Sequence, residues 1–395
     1  MSRWRLLAGF SAMVLTLAAC TGGGGGGGGT PPAGGGDTGP LPTSIGPGEG
    51  ELSLIAWPGY TQKGWVEPFE EESGCEVKVK YGNTSDEMVN LMRQGGGSLY
   101  DGVSASGDAT NRLIAAGDVA PINIDLIPDY SEAMPSLQSP PHNTVDGVHY
   151  GVPYMWGPNI LMWNSALVDP APTSWDVVFE ADSDWGGQVT AYDSPIYIAD
   201  AALYLKAHQP DLGIEDPYEL TSEQLDAAVA LLQQQKELVF KYWAVYTDEI
   251  QGFKAGDMAV GTAWPVNQQL LLDKGVKVDV TVPEEGVTGW ADSWMMSANA
   301  EHPNCMYMWM DYTMRPDVQA QVAAYYYATP SNTQSCDIMR KTFGESTESV
   351  FHCGDEEFLS QIALWKTPLA DCGDGSTDCM DYTTWTEKWT EVRGT

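Results

Sequence analysis

Basic side chains are scarce in this 395-residue chain: 19 Lys plus Arg stand against 54 Asp plus Glu, a formal net charge of −35 at pH 7. Phosphate backbones are held by clustered Lys and Arg, so a nucleic-acid-binding surface is excluded. Histidine is also sparse. His142, His149, His208, His302 and His352 form no HExxH arrangement, and the chain has neither a GxSxG elbow nor a Walker loop. Lone histidines of this kind read as surface or packing residues. No Cys-x-x-Cys pair occurs, which weighs against a zinc site. No cofactor and no metal is expected. Only 8 Phe accompany 15 Trp and 18 Tyr. Trp and Tyr carry polar handles that Phe lacks, and an excess of them suits rings that face a ligand.

The N-terminus has the order of an export signal. Arg3 and Arg5 precede an apolar run, Leu6 to Ala19, that is too short to span a bilayer and ends in Leu17-Ala18-Ala19-Cys20. That ending resembles a bacterial lipobox, which implies that residues 1–19 are a signal peptide and that Cys20 is lipidated. Without Arg3 and Arg5, 17 basic residues face 54 acidic ones, a balance of −37. Eight consecutive glycines, Gly22 to Gly29, open a Gly/Pro/Thr stretch to residue 50 that has almost nothing to bury. Residues 20–50 therefore read as a lipidated cysteine on a flexible tether, spanning roughly 30 Å.

Six further cysteines suit an oxidising compartment: Cys75, Cys305, Cys336, Cys353, Cys372 and Cys379. An even number favours disulfides. Spacing alone does not choose among the connectivities, but short loops favour Cys372–Cys379 and Cys336–Cys353, leaving Cys75–Cys305. Asp371, Asp374 and Asp378 lack the carboxylate order of a calcium loop, so a disulfide-closed surface loop is the preferred reading there.

From Glu51 onward, strands and helices alternate. Leu52 to Ala56 reads as a buried strand stopped by Trp57-Pro58-Gly59-Tyr60. A helix over Gln62 to Ser73, a strand over Cys75 to Tyr81, a helix from about Ser85 to Arg93 and a strand over Tyr100 to Val103 follow. Such units predict a parallel sheet with helices on both faces, whose ligand loops lie at the strands' carboxyl ends, here Trp57–Tyr60 and Ser104–Asp108. Further on, Thr221 and Gln224 fit a capping box, and Leu225, Ala228, Val229 and Leu232 recur at helical spacing as a core stripe. Aromatic residues gather beside turns at Trp57-Pro58-Gly59-Tyr60, Tyr154-Met155-Trp156-Gly157, Ala263-Trp264-Pro265 and Gly289-Trp290-Ala291-Asp292. Together they make a case for an aromatic pocket.

The order of these segments resembles the bacterial spermidine/putrescine-binding proteins, extracellular receptors of ATP-binding-cassette importers. The resemblance rests on Trp57-x-x-Tyr60, Tyr100-Asp101, Gly151 to Gly157, Thr173-Ser174-Trp175-Asp176, Gly289 to Ser293 with Ser297 to Ala300, and Arg315-Pro316-Asp317-Val318 leading to Thr329-Pro330-Ser331-Asn332. It covers residues 51–395 in order.

The resemblance implies a two-lobed, type II periplasmic-binding-protein-like α/β fold with the ligand between the lobes. Crossings are then expected near Trp156–Gly157 and Trp290–Ala291, with a return near Ser335–Cys336. Lobe 1 is residues 51–156 plus 291–336, and lobe 2 is 157–290 plus 337–395. Cys75 and Cys305 then share a lobe. The family packs amines between rings and neutralises them with carboxylates. By position, Trp57, Tyr60, Trp264 and Trp290 match the rings, Ser106 a polar contact and Asp292 the main carboxylate. Asp193 remains of an acid pair whose second member is Tyr197, and Asp108 stands in place of a tyrosine. Lys366, after Trp365, replaces a polar amide and would repel a diamine.

A small organic cation, a polyamine first, is therefore the expected ligand of a monomeric lipoprotein that faces the periplasm or cell exterior and delivers its ligand to an ABC permease. A zwitterionic, amino-acid-like solute bridging Lys366 and Asp292 is the alternative. A secreted hydrolase using Asp108, Asp193 and Asp292 is a lesser one.

Overall fold

The computed structural model describes residues 40–373 and 375–394. The expected signal peptide, Cys20, the glycine run and Asp374 lie outside the described residues. Fourteen strands occur among them. In chain order these are β1 (Glu51–Ala56), β2 (Glu76–Tyr81), β3 (Gly102–Ser106), β4 (Thr144–Val145), β5 (Val148–His149), β6 (Val152–Pro158) and β7 (Ile160–Asn164), then β8 (Val189–Tyr192), β9 (Val239–Trp243), β10 (Val260–Ala263), β11 (Val278–Thr281), β12 (Val287–Met296), β13 (Thr329–Pro330) and β14 (Ile362–Leu364).

Alternation along β1 shows how the first sheet acquires a helical layer on each face. Leu52 and Leu54 join the cluster containing Trp65 and Phe69 of helix Lys63–Ser73 and Trp309 of helix Pro303–Met314. Ile55, pointing the other way, packs with Met88 and Val89 of helix Ser85–Met92 and Leu113 of helix Gly107–Ala116. Each such buried side chain contributes about 1.5–3 kcal/mol. The strand ends at Trp57 because Pro58 has no N–H to donate. Gly59 then turns the chain at φ +108°, where an added Cβ would stand 2.7 Å from the Tyr326 ring.

The first sheet runs β13-β6-β12-β3-β1-β2, with β14 also paired to β12. The second runs β11-β7-β10-β8-β9, and β4 and β5 form a separate hairpin. Met162 of β7 faces Ile250, Phe253 and Leu271, while Leu161 and Trp163 face the main core. Both sheets are mixed rather than wholly parallel: β1 pairs β2 and β3 in parallel, but β12 runs antiparallel to β3 and β6. Strand β12 enters from the second sheet and so meets the first from its opposite end.

The crossings differ from the sequence expectation by a few residues. Strands β6 and β12 remain paired beyond the expected points, with Trp290 opposite Gly157 and Gly289 opposite Pro158. The chain passes between sheets at Asn159 and again between β11 and β12. The expected return at Ser335–Cys336 is displaced further. Helix Glu356–Ser360 meets Ser136 through Glu356, Thr329 donates to the Phe351 carbonyl at 2.6 Å, and β14 pairs β12. Residues 337–364 thus pack with the first sheet, and only the segment after Leu364 joins the second. There helix Tyr382–Arg393 packs against helix Ser222–Gln235.

The capping box is present: Gln224 N donates to Thr221 Oγ1, and Thr221 N donates to Gln224 Oε1 at 2.9 Å. All three cysteine pairings form as expected, Cys75–Cys305, Cys336–Cys353 and Cys372–Cys379. The expected tether range does not hold as far as residue 50. Residues 42–50 lie on the first sheet's helices, with Asn123 donating to the Pro42 carbonyl and Glu49 accepting from Asn304 N and Cys305 N at 3.0 and 2.9 Å. The histidines are individually accommodated: His302 pairs with Asp101, His208 with Glu285, His352 stacks on Phe358 and buried His142 has its pKa pushed down to about 4 by desolvation.

Candidate functional site

Strand ends assemble a cleft with a largely aromatic wall. Trp57 follows β1, Asn83 and Thr84 follow β2, Ser106 closes β3, Asp193 and Ser194 follow β8, Ala244 follows β9 and Trp264 follows β10. These strand ends point the same way in each sheet, so their loops converge at the carboxyl edge. Trp290 and Asp292 enter from β12, Tyr326 from the end of helix Pro316–Tyr326 and Trp365 from the segment after β14. The atom-free space between them, counted out to solvent, is about 540 Å³.

A chain of ring contacts fixes this wall. Trp365 meets Tyr192 at 5.5 Å, Tyr192 meets Trp243 at 6.1 Å and Trp243 meets Trp264 at 4.8 Å between centroids. Trp264 meets Trp290 at 6.5 Å, Trp290 meets Tyr326 at 6.4 Å and Tyr326 meets Tyr60 at 5.4 Å. Most are edge-to-face, an arrangement that holds ring orientation and contributes about 0.5–1.5 kcal/mol per pair beyond burial. Gly157 lets the wall close: a Cβ there would lie 2.7 Å from Trp290 Cζ2.

Asp292 is the chemical centre. It sits opposite Ser106 in the β3–β12 ladder and is buried. Ser106 Oγ donates to Oδ1, and the Tyr60 phenol donates to Oδ2 at 2.6 Å. Burial pushes its pKa up to about 7, the two hydroxyls pull it down, and nearby Asp108 adds an upward push. A carboxylate so placed gains from an incoming cation, which supplies the counter-charge its surroundings lack.

Beneath the wall, a polar network marks both crossings. Trp264 Nε1 donates to Asn159 Oδ1 at 2.9 Å, Asn159 Nδ2 to Thr288 Oγ1 at 2.7 Å and Thr288 Oγ1 to Asp200 Oδ2 at 3.0 Å. Tyr192 also donates to Asp200. Burial pushes Asp200 up to about 7, with these hydroxyls opposing.

Six of the ten residues singled out in the sequence meet at the cleft: Trp57, Ser106, Asp193, Trp264, Trp290 and Asp292. Four do not line it. Tyr60 lies behind Asp292 and orients it rather than facing the cleft. Tyr197 closes a 3-10 turn that directs its ring into the main core, where its hydroxyl accepts from Gln235 at 2.8 Å. Asp108, in the first turn of the helix after β3, turns away and accepts from Ser85 Oγ at 2.8 Å; burial pushes it up to about 6. Lys366 points outward and pairs with Asp216 and Glu219 at 2.8 and 2.5 Å, so its charge is balanced away from the cleft. Asp193 lines the cleft but is itself engaged, accepting from Trp389 Nε1 at 3.0 Å and pairing with Arg393 at 3.1 Å.

Sequence reasoning missed Tyr192, Trp243, Tyr326 and Trp365. A usable signal existed for two of them: Tyr192 and Trp243 are aromatic residues ending parallel strands. Tyr326 and Trp365 reach the cleft through tertiary packing alone.

Two sheets joined by crossings, with an aromatic cleft at their carboxyl edge, define a solute-binding protein. Structural comparison agrees on the fold: the Tp0655 (TpPotD) lipoprotein of Treponema pallidum superposes with a TM-score of 0.69 at 17% identity, covering 87% of this chain and 99% of that one. The GABA receptor Atu4243 superposes at 0.66 and 19% identity, covering 87% and 98%. These likenesses establish the type II periplasmic-binding-protein fold. The bacterial extracellular solute-binding protein family matches residues 64–342, and the chain belongs to that family. The spermidine/putrescine-binding periplasmic protein of Escherichia coli (strain K12) is 24% identical over 283 residues, 71% of this chain and 77% of that protein. Among the described residues no helix is long and apolar enough to cross a membrane.

Proposed function

We propose that the protein is the receptor of an ATP-binding-cassette importer, capturing a small organic amine in the cleft and presenting it to a membrane permease. Polyamines such as putrescine and spermidine are the first candidates, in keeping with the relative from Escherichia coli. The observation that carries this reading is Asp292, a buried carboxylate with no cationic partner among the described residues, held by two hydroxyls inside a wall of Trp and Tyr rings. Cation–π contacts add about 0.5–2 kcal/mol each as desolvation increases, and the ion pair satisfies the buried charge.

The two sheets serve as lobes that close on the ligand, a shift of population set by how much better the ligand binds the closed form. Residues 51–158 with 287–364 form one lobe, and 160–281 with 365–394 the other. The Leu17-Ala18-Ala19-Cys20 ending supports a lipid anchor at Cys20 that holds a monomeric receptor near its permease on the outer face of the membrane.

Covalent chemistry is not part of this function. Asp108, Asp193 and Asp292 do not form an acid/base set, because Asp108 faces Ser85 and Asp193 is paired with Arg393. The zwitterion alternative loses its cation, since Lys366 is held by Asp216 and Glu219. Thermal-shift measurement with putrescine, spermidine and an amino-acid panel tests the ligand class. A rise in Tm with an amine is expected, and no shift with any amine contradicts the ligand reading while leaving the family intact.

A further inference from the structure

Only two charged side chains line the cleft among the described residues, Asp193 and Asp292, and their situations are opposite. Among the described residues no ion pair includes Asp292, and the hydroxyls of Tyr60 and Ser106 donate to its oxygens. Both oxygens of Asp193 are held by one helix. Trp389 Nε1 reaches Oδ1 at 3.0 Å and Arg393 Nη2 reaches Oδ2 at 3.1 Å. Trp389 and Arg393 are four apart in Tyr382–Arg393, so one helical face presents both donors to the end of β8.

The clamp is itself fixed. Arg393 lies 4.7 Å over the Tyr242 ring, Trp389 stands edge-on to Tyr242 at 5.3 Å, and Lys236 donates to the Arg393 carbonyl at 2.8 Å. As a device for stability the Asp193–Arg393 pair is minor, because its side chains are 29% and 37% exposed and such pairs contribute about 0–1 kcal/mol. As a device for recognition it matters more. An ammonium arriving beside Asp193 meets a pair of zero net charge and a like-charged guanidinium behind it.

We infer that the cleft forms one ion pair with its ligand, at Asp292, and that Arg393 sets that number by neutralising Asp193. The inference rests on the proposed amine-binding function and deepens it: the ligand class is an amine recognised through a single ammonium group, to which a second ammonium adds little. Arg393 acts through Asp193 and is therefore a positioning residue for specificity.

Isothermal titration with putrescine and with 4-amino-1-butanol, which lacks only the second ammonium, tests this in the wild-type, Arg393→Gln and Asp193→Asn proteins. The wild type is expected to bind the two within about threefold of each other. Arg393→Gln, by freeing a carboxylate, is expected to move the ratio toward putrescine by about tenfold. Asp193→Asn, which leaves the Arg393 guanidinium without its counter-charge, is expected to move the ratio toward the amino alcohol.

A wild-type preference for putrescine above about tenfold that disappears in Asp193→Asn overturns the inference and leaves amine binding standing. An unchanged ratio in a folded Arg393→Gln protein overturns it equally. If that variant does not fold, the Asp193→Asn comparison decides. Binding of neither compound to the wild type contradicts the amine-binding function and the inference with it.

Discussion

The Tyr60 phenol donates to Asp292 Oδ2 at 2.6 Å across 232 residues of sequence, placing a turn-borne ring behind the cleft's central carboxylate. Tyr60 also stands edge-on to Tyr154 at 5.1 Å and Tyr326 at 5.4 Å, contacts that a Phe ring retains. Tyr60→Phe therefore removes the hydrogen bond and little else. A bond to an ionised acceptor contributes about 1.5–3 kcal/mol, so amine affinity near neutral pH is expected to fall by about tenfold or more. The loss shrinks at high pH, where Asp292 ionises without that help. Titration at two pH values measures both effects.

Asp292 gives amine binding a pH dependence with a definite sign. Its pKa in the ligand-free protein is about 7, and only the ionised form attracts an ammonium. Affinity is expected to be nearly constant above pH 7 and to weaken as pH falls below it, with about one proton released per ligand bound near pH 6. Titration in buffers of different ionisation enthalpy counts that proton.

The same shift affects the empty protein's stability. The folded pKa of about 7 exceeds the unfolded carboxylate's 3.8, so the folded state holds an extra proton between those values. The associated stability is present at low pH and lost as pH rises through 7. Asp292→Asn carries no such proton. Its Tm relative to wild type is expected to rise between pH 5.5 and 8.5, as thermal melts across that range would show.

Gly157→Ala probes the wall without touching a charge. The new Cβ would lie 2.7 Å from Trp290 Cζ2 and force the ring to move. Overpacking of this kind costs about 1–3 kcal/mol, so amine affinity is expected to fall by about tenfold while Asp292 keeps its hydroxyl partners. Equilibrium titration gives the affinity, and Trp fluorescence reports the displaced ring.

Cys75–Cys305 closes a separation of 230 residues, and neither cysteine lines the cleft. Replacing both with Ala is expected to cost about 3–5 kcal/mol of stability through the unfolded chain's regained freedom. Ligand affinity is expected to stay within about twofold. Denaturant unfolding and titration of the same variant separate the two quantities.

What the sequence made legible follows how local the cause is. The strand at Leu52–Ala56, the Thr221 capping box and the stripe at Leu225, Ala228, Val229 and Leu232 depend on neighbours in sequence, and each is present. Trp290 and Asp292 were readable through the family resemblance, although the segment that holds them, expected beside a turn, lies inside β12 and is buried along its whole length. Side-chain direction was harder. Tyr197 follows Asp193 by four residues, but a 3-10 turn sends it into the core, and Lys366 turns outward while its neighbour Trp365 turns in. The engagement of Asp193 by Arg393 joins residues 200 apart and leaves no local trace. The return near Ser335–Cys336 failed for the same reason, since β14 is fixed by pairing with β12 rather than by its own short sequence.

The most direct test compares putrescine binding to the wild-type and Asp292→Asn proteins by isothermal titration at about pH 8, where Asp292 is mostly ionised. The expected result is saturable one-to-one binding to the wild type and at least a hundredfold weaker binding to the variant, since breaking a buried ion pair costs about 3–5 kcal/mol. Equal affinities for the two proteins would contradict Asp292 as the cation's partner.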